Sequence, residues 1–349
     1  MTVFVCAGCG APLTPPLSQV ALPDHAHQQY GYGLLGVLMD PGTYAVEPEP
    51  SGQPWLPWAE VGADAAADQG VYAPVYTVSG GPRRAVVIAP GDIRGTVFIP
   101  GRLDGYCCGL DGRDGPNMAC DRCGLPVASR TDDCGLWQTV WLDPRAVDPV
   151  TDGAPAHRTL DWHDLLRERP GIPPIEQGGY WSPVWSAAAG ATLAHLLAAS
   201  AGTQVTVPGG LVATVFRRAL DAILPPGPPV RSLTLAGPGL PATVADIALV
   251  PRHPQTGERW TPPEAVDVVP LSWDVWAQLA CPRDLRVPGA GELPTGILRD
   301  DPLPLLPYWH FTPDEAVFAA TLARLPAVRQ PWLRDFYDRR CHPPLRLFW

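Results

Sequence analysis

Cys6-Ala7-Gly8-Cys9-Gly10 and Cys120-Asp121-Arg122-Cys123-Gly124 are two copies of one short pattern, separated by 110 residues between Cys9 and Cys120. A Cys-x-x-Cys turn presents two sulfurs to one metal ion from the tip of a tight hairpin, and zinc prefers tetrahedral thiolate or imidazole ligands. The glycine after each second cysteine lets the backbone reverse without a Cβ clash. Each knuckle then continues through a proline (Pro12, Pro126) into an apolar strand start (Leu13, Val127). One such turn is a weak signal, whereas two supply a full set of four thiolates. Cys6, Cys9, Cys120 and Cys123 are therefore the expected ligands of one zinc ion.

Three further cysteines are rivals for that role. Cys107 and Cys108 lie upstream of the second knuckle and Cys134 lies downstream. A competing assignment joins Cys107 or Cys108 with Cys120, Cys123 and Cys134 in a compact local site. Cys6 and Cys9 would then need other partners, and His25 and His27 in Asp24-His25-Ala26-His27 are the obvious source. On a strand, alternate side chains share a face, so a His-x-His pair can serve together. The first assignment implies one zinc and the second implies two. Cys281 and Cys341 have no such neighbour and read as buried or incidental thiols.

The paired knuckles resemble a zinc ribbon. With so long an insertion they resemble more closely the β-tent domains of the Yippee-like, cereblon-type and Mss4-like families. The resemblance covers residues 1–145 at most and rests on the knuckles. It implies two Cys-x-x-Cys hairpins meeting on a structural zinc, with the intervening sheet forming a surface for a small ligand or a peptide.

Composition removes several function classes. The chain contains no lysine, its basic residues being 25 arginines. That excludes a lysine Schiff base, pyridoxal-phosphate attachment and a Walker-type phosphate loop. A net charge of −10 argues against a nucleic-acid surface, which shows a basic footprint. The arginine pairs Arg83-Arg84, Arg217-Arg218 and Arg339-Arg340 form no stripe. No uninterrupted apolar run approaches the ~18 residues of a membrane span. The N-terminus lacks the basic region and cleavage site of a signal peptide. Nine cysteines, four of them in Cys-x-x-Cys pairs, fit metal binding in a reducing compartment, so a cytoplasmic location is expected.

The pattern along the chain predicts an α+β protein. Residues 1–147 form a β-rich zinc-binding domain, 148–179 a Pro/Gly-rich connector, and 180–349 a mixed helix and strand domain. Strands are expected at Thr2–Val5, Gly95–Ile99 and Leu136–Leu142. A hairpin is expected to join Val71–Val78 to Arg84–Ile88 through Gly80-Gly81-Pro82. A helix start is read at Asp161–Leu166. A buried helix spans Val184–Ala199, with Pro183 in its first turn and Gly202 to end it. An amphipathic helix covers 210–224, with Arg217 and Arg218 on one side. Strands at Arg231–Leu235 and Val244–Val250 are joined through Gly237-Pro238-Gly239. A third helix follows an N-cap at Thr312, Pro326 and Pro331 break it, and a short one covers Leu333–Arg339.

Around the metal, Asp111, Asp114 and Asn117 sit in a glycine-rich loop that could bind a ligand or simply cap its own turns. Trp137, with Trp141, Trp55 and Trp58, could line an aromatic wall or fill the core. No Gly-x-Ser-x-Gly, His-Glu-x-x-His or Gly-x-Gly-x-x-Gly motif occurs. Asp161-Trp162-His163-Asp164 and His195 read as a solvated helix face and a core histidine. Four thiolates close the zinc shell, whereas a catalytic zinc keeps a position for water. The leading expectation is thus a zinc-stabilised module that recognises another protein or a peptide, rather than an enzyme. The alternatives are an enzyme with a site between the two halves near Asp111–Asn117, and a transcription- or RNA-associated zinc ribbon, which the acidic charge disfavours.

Overall fold

The computed structural model describes residues 1–281 and 309–341, apart from 32, 106, 152, 154–157, 170, 177, 178 and 265. Helices and strands both contribute, in an α+β arrangement. The chain divides into two compact units, Met1–Thr159 with Gln255–Gly257, and Leu160–Pro254 with Glu258–Trp349. Among the described residues no helix is long and apolar enough to cross a membrane.

The first unit is built on strands. β1 (Thr2–Cys6) pairs antiparallel with β11 (Val147–Thr151). A seven-stranded sheet has the order β2-β3-β6-β10-β9-β8-β7. Its strands are β2 (Ser18–Gln19), β3 (Thr43–Val46), β6 (Val86–Ile88) and β7 (Thr96–Phe98). It is completed by β8 (Met118–Cys120), β9 (Pro126–Thr131) and β10 (Thr139–Leu142). Only β2 and β3 run parallel; the remaining pairs are antiparallel. A separate ribbon pairs β4 (Trp55–Pro57) with β5 (Thr77–Ser79), and two short helices, α1 (Trp58–Val61) and α2 (Ala63–Asp68), lie between them.

The expected hairpin across Gly80-Gly81-Pro82 does not form. β5 turns to β4, and β6 enters the main sheet between β3 and β10. Val86, Val87 and Ile88 are all buried, the mark of an interior strand covered on both faces rather than one arm of a surface hairpin. The core joins Phe4, Leu13, Leu17, Ile88, Val127, Val140 and Leu142 with Cys6 and Cys120. Both Cys-x-x-Cys knuckles are therefore rooted in the same apolar cluster.

The second unit carries a parallel sheet of order β12-β13-β14-β15, composed of Gln204–Thr206, Val230–Leu235, Ile247–Arg252 and Asp267–Ser272. The strands flanking Gly237-Pro238-Gly239 are thus parallel neighbours joined by a crossover. Its helices are α3 (Trp162–Glu168), α4 (Pro183–Ser200), α5 (Leu211–Ile223) and α6 (Trp273–Ala280). α7 (Glu315–Arg324) and α8 (Pro331–Arg340) complete the set. α4 is apolar on every side and buries Trp185, Leu193, Leu196 and Leu197 against β15 and α7. It ends at Ala201 in the left-handed region, one residue before Gly202. α5 buries Val212, Val215, Phe216, Ala219 and Leu220 and leaves Arg217 and Arg218 exposed.

α7 begins later than expected, because the Asp314 carboxylate accepts the Val317 N–H at 2.9 Å and displaces Thr312 as the cap. α7 ends at Arg324, ahead of Pro326, and Pro331 stands at the first position of the separate helix α8. The buried indoles of Trp185, Trp273 and Trp276 donate to the carbonyls of Ile172, Arg169 and Ala236, so these large rings are buried without stranding their N–H groups.

Candidate metal centres

Both knuckles fold the same way. The Cys6 N–H donates to the Ala11 carbonyl, and the Gly10 N–H returns to the Cys6 carbonyl at 2.7 Å. In the second knuckle the Cys120 N–H donates to Leu125, and the Gly124 N–H returns to Cys120 at 2.9 Å. Gly10 and Gly124 have φ of +71° and +74°, with open space where a Cβ would stand. Glycine is needed there for backbone conformation, not for room.

The first knuckle caps β1 and the second joins β8 to β9. Between them, the Arg94 N–H donates to the Leu13 carbonyl and the Asp121 N–H to the Gly95 carbonyl, which links the two tips through residues 94–95. Cys6, Cys9, Cys120 and Cys123 consequently form one cluster that could hold a metal ion. The Sγ atoms of Cys6 and Cys123 lie 3.5 Å apart, and those of Cys9 and Cys120 lie 3.6 Å apart. Both separations far exceed the ~2.05 Å of a disulfide bond. Cys6 and Cys120 are buried, Cys9 is half-buried and Cys123 is exposed.

Cys120 and Cys123 do not ionise alike. Burial opposes ionisation of Cys120, but N–H groups of Cys123 and Arg122 and the thiols of Cys9 and Cys6 outweigh it, bringing Cys120 down to about 7. At Cys123 the Leu125 N–H favours the thiolate, yet the Cys6 sulfur, burial and the other two sulfurs push it up to about 12. One thiol thus ionises near neutrality while Cys9 and Cys123 resist, which is the repulsion a divalent cation would relieve.

A second cluster consists of Cys107, Cys108, Asp133 and Cys134. Here a carboxylate organises the loops. Asp133 accepts the N–H groups of Cys107 at 3.1 Å, Cys108 at 2.9 Å and Cys134 at 2.8 Å, and also the Cys108 thiol at 3.1 Å. Led by the Cys108 N–H, these donors hold the Asp133 carboxyl far below the usual carboxylate range despite its burial. Leu110 and Asp132 exchange backbone hydrogen bonds beside it. The chain passes so closely here that a side chain on Gly105 would strike the Gly109 carbonyl, and one on Gly109 the Asp132 carbonyl.

The rival ligands are thus brought together with one another and not with Cys120 and Cys123. Neither His25 nor His27 belongs to a cluster among the described residues. His25 packs on Trp137 with ring centroids 4.5 Å apart. His27 stacks on Trp141 at 5.4 Å and meets the buried Glu47 carboxylate at 2.5 Å. Trp137 is buried, and its indole N–H donates to Gln28 at 3.2 Å. Asn117 is also buried: its amide donates to the Arg130 carbonyl and accepts the Arg130 N–H. Asp111 accepts the Arg113 N–H at 3.0 Å, as in a self-capping turn, and Asp114 is exposed.

Sequence reasoning missed Asp133 and the grouping of Cys107, Cys108 and Cys134. Its available signal was subtraction: two Cys-x-x-Cys turns already fill a tetrahedral shell and leave three thiols over. The chain matches neither a family model, nor a curated protein, nor a solved structure.

Proposed function

We propose that the four-cysteine cluster holds zinc as a structural ion, and that the unit folded around it is a cytoplasmic binding module for an extended segment of another protein. The carrying observation is the convergence of four sulfurs from two hairpin tips at the edge of one apolar core. A tetrahedral zinc with bonds of about 2.3 Å sets its sulfurs about 3.8 Å apart, close to the spacing found. An all-thiolate donor set disfavours hard cations such as magnesium and calcium. Four protein ligands leave no position for water, which favours a structural ion over a catalytic one. The β-tent resemblance agrees, since a sheet lies between the knuckles in sequence. Nine free thiols suit a reducing compartment.

For the partner, β7 offers the best surface. It is the terminal strand of the seven-stranded sheet, and Cys120 of the metal cluster lies opposite its Thr96. Val97 and Phe98 are 53% and 41% exposed, so an apolar edge is left without the charges that usually protect one. Such an edge suits strand addition by a peptide, with backbone hydrogen bonds for affinity and alternate apolar side chains for specificity.

Two measurements test the reading. Elemental analysis of the purified protein is expected to find zinc, one equivalent of which is lost when Cys6 and Cys9 are replaced by serine; a metal content unchanged in that variant would reject the site. Selection from a random peptide library is expected to enrich sequences with alternating apolar residues that no longer bind a Phe98→Asp variant. Equal binding to that variant, with its metal content unchanged, would reject the β7 edge.

A further inference from the structure

The second cluster differs from the first in kind. We propose that Cys107, Cys108 and Cys134 form a separate metal centre with three protein thiolates, whose fourth coordination position is taken by an exchangeable small ligand. This goes beyond the structural zinc, and neither proposal depends on the other.

The three sulfurs and the Asp133 carboxylate lie within 4.8 Å of one another, drawn together from two loops. Three backbone N–H groups already address that carboxylate, and they stay with it when the Cys108 thiol gives up its proton to a metal. Asp133 is buried, and its role is to fix the loops rather than to complete the shell. Tetrahedral completion then falls to a group from outside, as in zinc sites that keep one position for water or substrate.

Exposure points the same way. Cys107 and Cys108 are exposed residues and Cys134 is half-buried, so an outside group can reach this cluster. The four-cysteine cluster, by contrast, has two of its sulfurs sunk in the core. The close passage at Gly105 and Gly109 leaves no room for a side chain at either position, and the Asp133 carboxylate holds the N–H groups of all three cysteines. Three thiolates select a soft or borderline cation such as zinc or cadmium. A thiol or an imidazole is the donor class suited to the fourth position.

Cobalt(II) titration of the full chain, reduced and stripped of metal, tests this directly. Wild type is expected to bind two equivalents with thiolate-to-cobalt absorption. A Cys107→Ser/Cys108→Ser variant, altered only at exposed positions, is expected to bind one. A Cys6→Ser/Cys9→Ser variant is expected to lose the other equivalent. Added imidazole should shift the visible cobalt bands of wild type but not those of the Cys107→Ser/Cys108→Ser variant. The proposal is overturned if that variant keeps both equivalents, or if wild type binds only one and loses it in the Cys6→Ser/Cys9→Ser variant. Two equivalents whose spectrum ignores imidazole would overturn the exchangeable position. A single equivalent lost only with Cys107 and Cys108 would support this centre and count against the structural zinc.

Discussion

The Sγ atoms of Cys6 and Cys123 lie 3.5 Å apart although 117 positions separate the two residues. Closing so long a loop carries an entropic cost that a metal bond can offset, because metal binding free energy is also folding free energy. Chelation should therefore act first on the strands that bear the knuckles. By hydrogen exchange, β1, β8 and β9 are expected to lose protection when the metal is removed, while α4 and β14 in the second unit keep theirs. Unchanged exchange in β1, β8 and β9 after complete metal removal would deny zinc a structural role.

The paired glycines give a finer test of the knuckle fold. At Gly10 and Gly124 the obstacle to a side chain is positive φ alone, since no atom lies within 4 Å of the Cβ position. Alanine at either site should cost about 1 kcal/mol, and asparagine less, because it tolerates the left-handed region better. Urea denaturation at saturating metal would read both. A cost several times larger for alanine would mean that space, not backbone conformation, decides these positions.

Asp133 offers a third test, independent of any metal. Its carboxylate gathers the N–H groups of three cysteines, and a hydrogen bond to a charged group contributes about 1.5–3 kcal/mol. In reduced, metal-free protein, Asp133→Ala should destabilise by about 2 kcal/mol or more, and Asp133→Asn by less, since its amide oxygen still accepts. Equal and negligible losses in the two variants would show that the loops hold their shape without it.

These residues also mark what the sequence makes legible. A Cys-x-x-Cys-Gly turn carries its own geometry, because the intervals and the glycine dictate a local loop whatever surrounds it. Cys107, Cys108 and Cys134 carry no such local rule: their meeting depends on the Leu110–Asp132 pairing and on Asp133, which are tertiary facts. Likewise, α4 is legible from its uniform apolarity and leading proline. The partners of β6 are not, since a buried run such as Val86-Val87-Ile88 fits any interior position of a sheet. Two candidate metal clusters also change what a metal count means. Two ions per chain no longer argue against pairing the knuckles, so the variants at each cluster must decide.

A final prediction concerns His195 on α4, which the sequence placed in a core helix. Burial first, then Arg259 and Arg252, lower its pKa to about 4. The folded protein thus holds a neutral imidazole, whereas the unfolded chain titrates near the ordinary value of about 6.5. Between those two values the unfolded state binds a proton that the folded state does not, so stability declines as pH falls through that window. Above about 6.5 the contribution is complete, and below about 4 no further loss comes from this group. A shift of this size corresponds to about 3 kcal/mol at most, and partial exposure of the ring reduces the expectation to about 2 kcal/mol. His195→Gln removes the titration. Urea denaturation of the second unit at pH 7 and pH 4.5 should show a smaller pH-dependent loss in the variant than in wild type, by about 2 kcal/mol. The same loss in both proteins would mean that His195 titrates as it does in water, and that α4 does not bury it from protons.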